Sequence, residues 1–309
     1  MNENIENDLL RNFGGTQANS LNALLNINDE SDDDNVSYFY QDSPYYDIES
    51  IKIFCNRNKH SFAVFSLNSQ SINAKINELI CVLQKLKDDC DFLFSAICIQ
   101  ESWVGENQSV EHLEIENYEL FNKPRSIGPK SGMIIYLRDD YVGDDKEQIF
   151  KVPDSRLWEG QSILVSGGDL SNQIRLSHIY RPPRFNNNNS SVEIFLKEIS
   201  PYLDEFCKNN QTHLIAGDFN IDLKEMKNRE KYQNYFDKFV SSGFLPKITL
   251  PTRFSKKKCT IIDQIFCKFQ NLDTRNESGV FITDISDHFP CVTAFQTSSI
   301  QVNCKKIVT

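Results

Sequence analysis

The sequence of 309 residues has no long hydrophobic run. Its first ten residues, MNENIENDLL, have neither the basic start nor the apolar core of a signal peptide. No later stretch approaches the roughly 20 consecutive apolar residues of a membrane-spanning helix, and the mean hydropathy is −0.45. We therefore expect an intracellular protein, nuclear or cytoplasmic, that has no secretion signal and no membrane partner.

Paired cysteines are also lacking. The nine cysteines are scattered singly, without a Cys-x-x-Cys pair, and most of them lie in apolar stretches. This distribution favours buried, reduced thiols over a disulfide framework or a zinc site. Hydrophobic residues make up 39% and charged residues 25% of the chain, which is typical of a globular protein with a large core.

Acidic charge is abundant, but only at the N-terminus. Residues 1–50 carry eleven acidic side chains and one basic side chain, whereas residues 51–309 carry 32 of each sign. The net charge of −10 therefore does not exclude a polyanionic substrate for the larger part of the chain. The polar composition predicts a mostly disordered leader over residues 1–48, one domain over residues 49–298 and a short tail over residues 299–309.

Short apolar strands alternate with helices from residue 61 onward. Apolar residues recur at helical spacing over residues 76–86 and 192–206. Between these helices lie short β segments that are bounded by Gly, Pro, Asp and Asn. Many strands with about four helices predict two packed sheets with helices outside, which is an α/β sandwich.

Polar residues follow the carboxyl ends of several apolar strands, where open α/β sheets bind their ligands. One such residue alone is more often a helix cap or a turn former, but a repeated pattern in one chain favours a functional site. The residues are Asn68, Glu101, the pair Asp218 and Asn220, and the pair Asp287 and His288.

Some of these side chains suit phosphate chemistry, although each has a structural alternative. Glu101 stands beside a buried strand end, where a carboxylate is costly unless a cation or a hydrogen-bond donor meets it. Asp263 is a candidate for orienting the imidazole of His288, which would suit acid–base work near neutral pH. Asn68 alone would also serve as a helix cap, and His288 alone would also fit a solvated histidine.

Two further groups are candidates for binding phosphate. Tyr180 and Arg181 end a strand, and their phenol and guanidinium can donate hydrogen bonds to phosphate oxygens, although a structural tyrosine is nearly as good an interpretation. The second group is a basic run that is either a solvated loop or a contact for a nucleic-acid backbone. It consists of Arg253, Lys256, Lys257 and Lys258.

Seven segments between residues 61 and 295 carry these residues in order: SLNSQSINAKINEL, CIQESW, SGMIIYLR, IYRPPR, IAGDFNID, PTRFSKKKCTIIDQIF and SDHFP. Together they resemble the endonuclease/exonuclease/phosphatase superfamily, and within it they look most like the endonuclease domain of non-LTR retrotransposons. In full-length elements that domain precedes a reverse transcriptase. No reverse transcriptase segment follows in this sequence, so we expect a truncated element, a fragment or a stand-alone copy.

The resemblance implies a fold, a cofactor and an activity. The fold is the deoxyribonuclease I-like α/β sandwich, in which two sheets pack face to face in a four-layer α/β/β/α arrangement. The activity is Mg²⁺-dependent nicking of DNA that leaves 3′-hydroxyl ends, with Mn²⁺ as an alternative ion. The implied metal-site residues are Asn68, Glu101 and Asp287, and the implied catalytic residues are Tyr180, Asp218, Asn220, Asp263 and His288.

Two other functions remain open at this point. The same metal core serves phosphatases and phosphodiesterases that act on lipid or small-molecule phosphates. Alternatively, the chain is an inactive relic that binds nucleic acid. Gln70 stands where many relatives have arginine, which puts substrate contacts in doubt but not the chemistry.

Overall fold

The computed structural model describes residues 43–146, 149–151, 153, 155–183, 191–255, 258–271 and 274–297. The α-helices in these ranges are α1 (Ser50–Arg57), α2 (Ile72–Cys90), α3 (Ser191–Lys208) and α4 (Glu230–Ser241), and short 3₁₀ helices span Glu111–Leu113 and Leu223–Asn228. The strands are β1 (Tyr45–Tyr46), β2 (Ser61–Asn68), β3 (Ala96–Gln100), β4 (Tyr118–Lys123), β5 (Met133–Arg138), β6 (Tyr141–Asp144), β7 (Glu159–Gly167), β8 (Ile174–Tyr180), β9 (His213–Asp218), β10 (Leu245–Pro246), β11 (Arg253–Phe254), β12 (Cys259–Thr260), β13 (Asp263–Lys268), β14 (Asn276–Phe281) and β15 (Cys291–Gln296).

The strands form two large sheets and one small ribbon. The first sheet has seven strands in the order β1-β14-β15-β2-β3-β5-β4, and the second has six in the order β10-β13-β9-β8-β7-β6. Strands β11 and β12 form a separate antiparallel ribbon. Strand β15 lies between β14 and β2 and is antiparallel to both, so the C-terminal strands complete a sheet that the N-terminal strands begin.

Three apolar clusters hold these layers together. One lies between the two sheets and includes Val64 and Leu214. A second lies between the first sheet and helices α1 and α2, and a third lies between the second sheet and helices α3 and α4. Strands that are buried on both faces require nearly continuous apolar sequence, as in β2 and β9. The arrangement confirms the predicted four-layer α/β/β/α sandwich.

Helix α2 shows how the sequence pattern fixes the packing. Its buried residues recur three or four positions apart and so form one apolar stripe that faces the first sheet. Burying each such side chain stabilises the fold by roughly 1.5–3 kcal/mol. The buried residues are Ile72, Ile76, Leu79, Leu83, Leu86 and Cys90.

The domain begins earlier than the predicted boundary at residue 49. Strand β1 pairs in parallel with β14, with Tyr45 opposite Val280, and Tyr46 is buried against the ring of Phe54. Ser43 exchanges hydrogen bonds with Thr249 through backbone and side-chain atoms. A two-residue strand is too short to leave a periodic signal, and the acidic residues around β1 are typical of a disordered segment. The sequence therefore did not predict this strand. Residues 1–42 and 298–309 of the predicted leader, domain end and tail lie outside the described residues.

Eight cysteines fall within the described residues, and all of them are free thiols. Five are buried, as the apolar sequence around them predicts, whereas Cys81 and Cys207 are exposed. Cys304 lies outside the described residues. None of the described helices has the length and hydropathy that crossing a membrane requires.

Candidate active site

Buried polar side chains converge between the two sheets at one end of the sandwich. Side chains alternate between the faces of a strand, so Asn68 shares the inter-sheet face of Val64, and Asp218 shares that of Leu214. The alternation that buries the apolar residues therefore also aims the polar residues at the strand ends toward each other. The residues at these strand ends are Asn68 of β2, Tyr180 of β8, Asp218 of β9 and Asp263 of β13.

Strand register sets the spacing of the residues from the second sheet. Asp218 lies directly opposite Tyr180 on one side and Asp263 on the other. Beside Asp218, the backbone of Gly217 passes so close to β8 that an added Cβ would lie 1.8 Å from the carbonyl oxygen of Ile179. Only glycine allows this approach, and the approach holds the three side chains in one layer.

The Glu101 carboxylate is fixed by three donors. One oxygen, Oε1, accepts from the Asn68 amide at 2.9 Å and from the Tyr180 hydroxyl at 3.0 Å. The other, Oε2, accepts from the indole N–H of Trp103 at 3.2 Å. Charge-assisted hydrogen bonds of this kind are strong and directional, so Glu101 has one orientation.

The Asp218 carboxylate lies between two amides. Its Oδ2 accepts from the Asn68 side chain at 2.8 Å and from the Asn220 side chain at 2.9 Å. Its Oδ1 accepts from the backbone N–H of Asn220 at 2.9 Å. Asn68 therefore bridges Asp218 and Glu101, and the two sheets meet through this amide.

His288 and Asp263 form a buried pair. The Nδ1 atom of His288 lies 3.0 Å from each carboxylate oxygen of Asp263. The Thr252 hydroxyl donates to the same carboxylate at 2.5 Å. These contacts leave Nε2 as the ring nitrogen that Asp263 does not hold. The sequence predicted the pair but missed Thr252, because nothing in the segment PTRF separates it from an ordinary loop threonine.

Burial and neighbouring charge shift the pKa values of this site. Burial raises the pKa of the Asp218 carboxyl to about 7, and the negative charge of Asp263 adds to the shift, while His288 and the amide of Asn68 oppose it. For His288, burial disfavours the charged ring, but the charge and hydrogen bond of Asp263 outweigh this and raise the pKa to about 9. Burial also raises the pKa of the Tyr180 phenol, so it remains a donor. Near neutral pH the site thus has a carboxyl group that can accept a proton beside a cationic imidazole.

Backbone strain is concentrated at the same place. Among the described residues, eight non-glycine residues have a positive φ, a conformation that costs most residues roughly 1 kcal/mol or more. Five of these eight lie on the loops that follow β2, β3 and β9, namely Gln70, Ser71, Glu101, Trp103 and Asn220. Such strain persists where the surrounding structure enforces it, and it is typical of functional sites.

The donor set of this site fits a divalent cation. Among the described residues, ligand atoms of Asp218, Asp263 and His288 lie within 4.8 Å of one another. The carboxylates of Glu101, Asp218 and Asp263 all accept hydrogen bonds from neighbouring side chains. These three buried carboxylates face a single imidazole, which leaves negative charge for a cation to balance. Carboxylate oxygens are the ligands that Mg²⁺ and Mn²⁺ prefer.

Two of the predicted metal-site residues have protein partners in this structure. The Asn68 amide nitrogen faces the carboxylates, and its oxygen accepts from the backbone of Gln70 at 3.2 Å, so Asn68 orients the carboxylates in this arrangement. Asp287 lies at the rim, 43% exposed, and pairs with Arg253 at 2.8 Å. Its Oδ1 is 3.9 Å from Nε2 of His288.

The predicted phosphate-binding cations are also partly engaged. Arg181 is buried, and its guanidinium donates to the carbonyl oxygens of Phe219 and Asn220 at 3.1 and 3.3 Å. It therefore holds the turn after β9. Lys258 pairs with Asp222 at 3.0 Å and is half exposed. Lys256 and Lys257 lie outside the described residues.

Residues 65–288 match the model of the endonuclease/exonuclease/phosphatase family. The chain belongs to this family. Its strand order and four layers are those of the deoxyribonuclease I-like fold, as the sequence resemblance predicted. Family membership and this hydrolase fold support an enzyme that acts on phosphodiester or phosphate ester bonds, and the acidic cluster supports a divalent metal cofactor. Among curated proteins, none matches the sequence.

Solved structures of this family that resemble the chain differ widely in what they are. The AP endonuclease LMAP from Leishmania major superposes with a TM-score of 0.58 at 10% identity, covering 77% of this chain and 88% of its own. The endonuclease domain of TRAS1, a telomere-specific non-LTR retrotransposon, superposes with a TM-score of 0.55 at 15% identity, covering 77% of this chain and 100% of its own. A mannosyl-6-phosphatase from Bacteroides thetaiotaomicron superposes with a TM-score of 0.51 at 15% identity, covering 76% of this chain and 99% of its own. At these identities the similarity shows the fold alone.

Proposed function

We propose that this protein is a metal-dependent endonuclease that nicks DNA, of the type found in non-LTR retrotransposons. The observation that carries the proposal is the buried group of Asp218, Asp263 and His288 beside a rigidly held Glu101. The seven sequence segments favour DNA over a small substrate, and Arg253 on the β11–β12 ribbon lies next to His288. The isolated bridge between Arg253 and His288 connects that ribbon to the site.

Glu101 is the proposed metal ligand, and Asp287 would join it from the rim if it leaves Arg253. Bound Mg²⁺ would polarise a phosphate oxygen and offset the negative charge of the transition state. The carboxylate of Asp218, whose pKa burial raises above that of a solvated carboxyl group, accepts the proton of the attacking water. Asn68 keeps Asp218 and Glu101 at a fixed separation through its two hydrogen bonds.

The remaining side chains act on the phosphate group. Tyr180 and Asn220 donate to Glu101 and Asp218 in the structure, and we propose that they turn to phosphate oxygens when the substrate binds. His288, kept cationic by Asp263, neutralises charge on the phosphate as water attacks. The bond between phosphorus and O3′ breaks, and O3′ takes a proton from solvent, so the products are a 3′-hydroxyl and a 5′-phosphate.

A plasmid-nicking assay tests this function. Purified protein is incubated with supercoiled plasmid in Mg²⁺ or in chelator, beside the variants Glu101→Gln, Asp218→Asn and His288→Gln. Each variant is expected to lose on the order of a hundredfold or more in rate, because it removes a positioned charge from the site. The matched control is Glu106→Gln, which changes an exposed carboxylate five residues from Glu101 and should leave the rate unchanged.

Four results would contradict the proposal. Nicking that persists in chelator, or site variants as active as Glu106→Gln, would overturn the metal-dependent mechanism. A parent protein that leaves plasmid intact but hydrolyses phosphoinositides or sugar phosphates in Mg²⁺ would instead identify it as a phosphatase. A parent that binds DNA without any hydrolysis would identify it as an inactive binding protein.

A further inference from the structure

Trp103 is an aromatic side chain at the rim of the site that the proposed chemistry does not use. It is partly exposed, although its neighbours Ser102 and Val104 are 0% and 1% exposed. Its indole N–H donates to Oε2 of Glu101 at 3.2 Å, so the ring adjoins the carboxylate that the proposed mechanism places at the metal. A large ring at this position contacts whatever part of a substrate lies next to the reacting phosphate.

The backbone holds Trp103 there in a costly conformation. Its φ is +57°, and that of Glu101 is +49°, values that are unusual for bulky residues. Hydrogen bonds on both sides enforce the segment, since the N–H of Trp103 donates to the carbonyl of Ser131 at 3.0 Å and the carbonyl of Glu101 accepts from Ser71 at 2.8 Å. The fold therefore enforces the conformation that places the indole beside Glu101.

A cation accompanies the ring. The ammonium of Lys130 lies 5.6 Å from the centroid of the Trp103 indole, and Lys130 is exposed. Among the contacts that the structure describes, no carboxylate pairs with this ammonium. A ring beside a mobile cation suits a nucleotide, because the base can stack on the indole while the lysine moves to the flanking phosphate.

We propose that Trp103 is a stacking platform for the nucleobase next to the cleaved phosphate, and that Lys130 contacts the flanking phosphate. This inference rests on the proposed function and assigns part of its substrate contact. Because stacking does not read base identity, the platform accepts any base and places the neighbouring phosphate against Glu101. The hydrogen bond from the same indole to Glu101 joins base binding to the orientation of that carboxylate.

The test measures binding in chelator, so that cleavage does not interfere. One probe is a short single-stranded oligonucleotide, and the other is an abasic oligonucleotide of the same length, which has the phosphates but not the bases. Trp103→Ala is expected to weaken binding of the first probe roughly 5- to 150-fold and to leave the abasic probe unaffected. Trp103→Phe keeps a ring and should bind both probes nearly as the parent does. Lys130→Met should weaken both and lower the salt dependence of binding by about one unit.

Fluorescence gives a second readout, and its amplitude at saturating oligonucleotide does not depend on affinity. The chain has two tryptophans, and Trp158 is 1% exposed with its N–H bonded to Glu198. The base-containing oligonucleotide should quench the parent but not Trp103→Phe, in which only the buried indole remains.

The outcomes separate this inference from the proposed function. If the parent binds the oligonucleotide and Trp103→Ala, folded by its thermal transition, binds it equally well, the platform is refuted while the nuclease proposal stands. Equal quenching of the parent and Trp103→Phe has the same meaning. If the parent binds neither probe, yet hydrolyses small phosphate esters, both proposals fail together.

Discussion

The segment before α1 is expected to be required for stability, although the acidic sequence around it resembles a dispensable leader. Tyr46 is 6% exposed, its ring centroid is 5.5 Å from that of Phe54, and its hydroxyl donates to Glu277 at 2.9 Å. Replacing a buried aromatic residue by alanine typically costs 3–5 kcal/mol. For a domain of this size, that corresponds to a fall in Tm of roughly 6 to 20 °C.

Truncation should show the same boundary. Removal of residues 1–48 also deletes the hydrogen bonds of Ser43 with Thr249 and the contacts of Pro44 and Tyr46 with β14. Each such bond contributes about 1 kcal/mol net, so the total loss reaches the scale of the whole free energy of unfolding, roughly 5–15 kcal/mol. Removal of residues 1–42 keeps all of these contacts and is expected to leave the unfolding transition cooperative.

The assay is thermal unfolding followed by circular dichroism on four proteins: the parent, the two truncations, and Tyr46→Ala. Tyr46→Phe is the matched control, since it keeps the ring and loses only the hydrogen bond to Glu277. Nicking activity should fall with stability in the longer truncation, because Tyr45 donates to the carbonyl of Pro251, next to the Thr252 that holds Asp263. A longer truncation that unfolds at the temperature of the parent would refute the reasoning and return the boundary to residue 49.

Three further outcomes are expected. Burial lowers the pKa of His178 to about 3, so the folded protein holds this side chain neutral. In the unfolded chain its pKa is about 6.5. The contribution of neutral His178 to stability is therefore present above pH 6.5 and is lost as the pH falls toward 3. The loss of stability amounts to about 2 kcal/mol by pH 5. His178→Gln should therefore show a smaller fall in Tm between pH 7 and 5 than the parent, and equal falls in the two proteins would contradict this prediction. Gly217→Ala should lower the free energy of unfolding by about 3 kcal/mol or more through overpacking. Gly128→Ala is the control, because an added Cβ there meets nothing within 4 Å. Equal Tm values for the two variants would show that β8 can move away from the added methyl group. Neutralising Lys256 and Lys257 together should reduce the slope of log affinity for DNA against log salt concentration by roughly two units. An unchanged slope would show that the two lysines do not contact DNA.

Much of the fold and of the site geometry could be predicted from the sequence, because both depend on the alternation of side chains between the two faces of a strand. Asn68 and Asp218 could be picked out since each ends an apolar strand, and the side-chain period of two then places them on the inner face. The partners of Asp263 could be predicted only in part. His288 was recognisable by its chemistry, whereas Thr252 reaches the carboxylate through a loop path that no local pattern records.

Other features depended on tertiary contacts that are invisible in sequence. Arg181 looked like a phosphate contact, but the turn after β9 uses its guanidinium to satisfy carbonyl groups. Asp287 looked like a metal ligand, and its pairing with Arg253 arises where the β11–β12 ribbon meets the loop before β15. Trp103 stood in the segment CIQESW, yet its conformation is set by Ser131, which is 28 positions away in the sequence. The chemical roles of these residues stay predictions until the variants are measured.

The position of β15 between β14 and β2 has a consequence for synthesis on the ribosome. The N-terminal strands β2 and β3 emerge early, but the first sheet is incomplete until Cys291–Gln296 has left the exit tunnel. Until then, the edge of β2 is unpaired and open to pairing with other chains. His288 also arrives only with this last segment, so the nascent chain would have no complete site while most of the protein has already been made. A messenger cut short before residue 288 would thus yield a product that lacks the proposed site and is prone to aggregate.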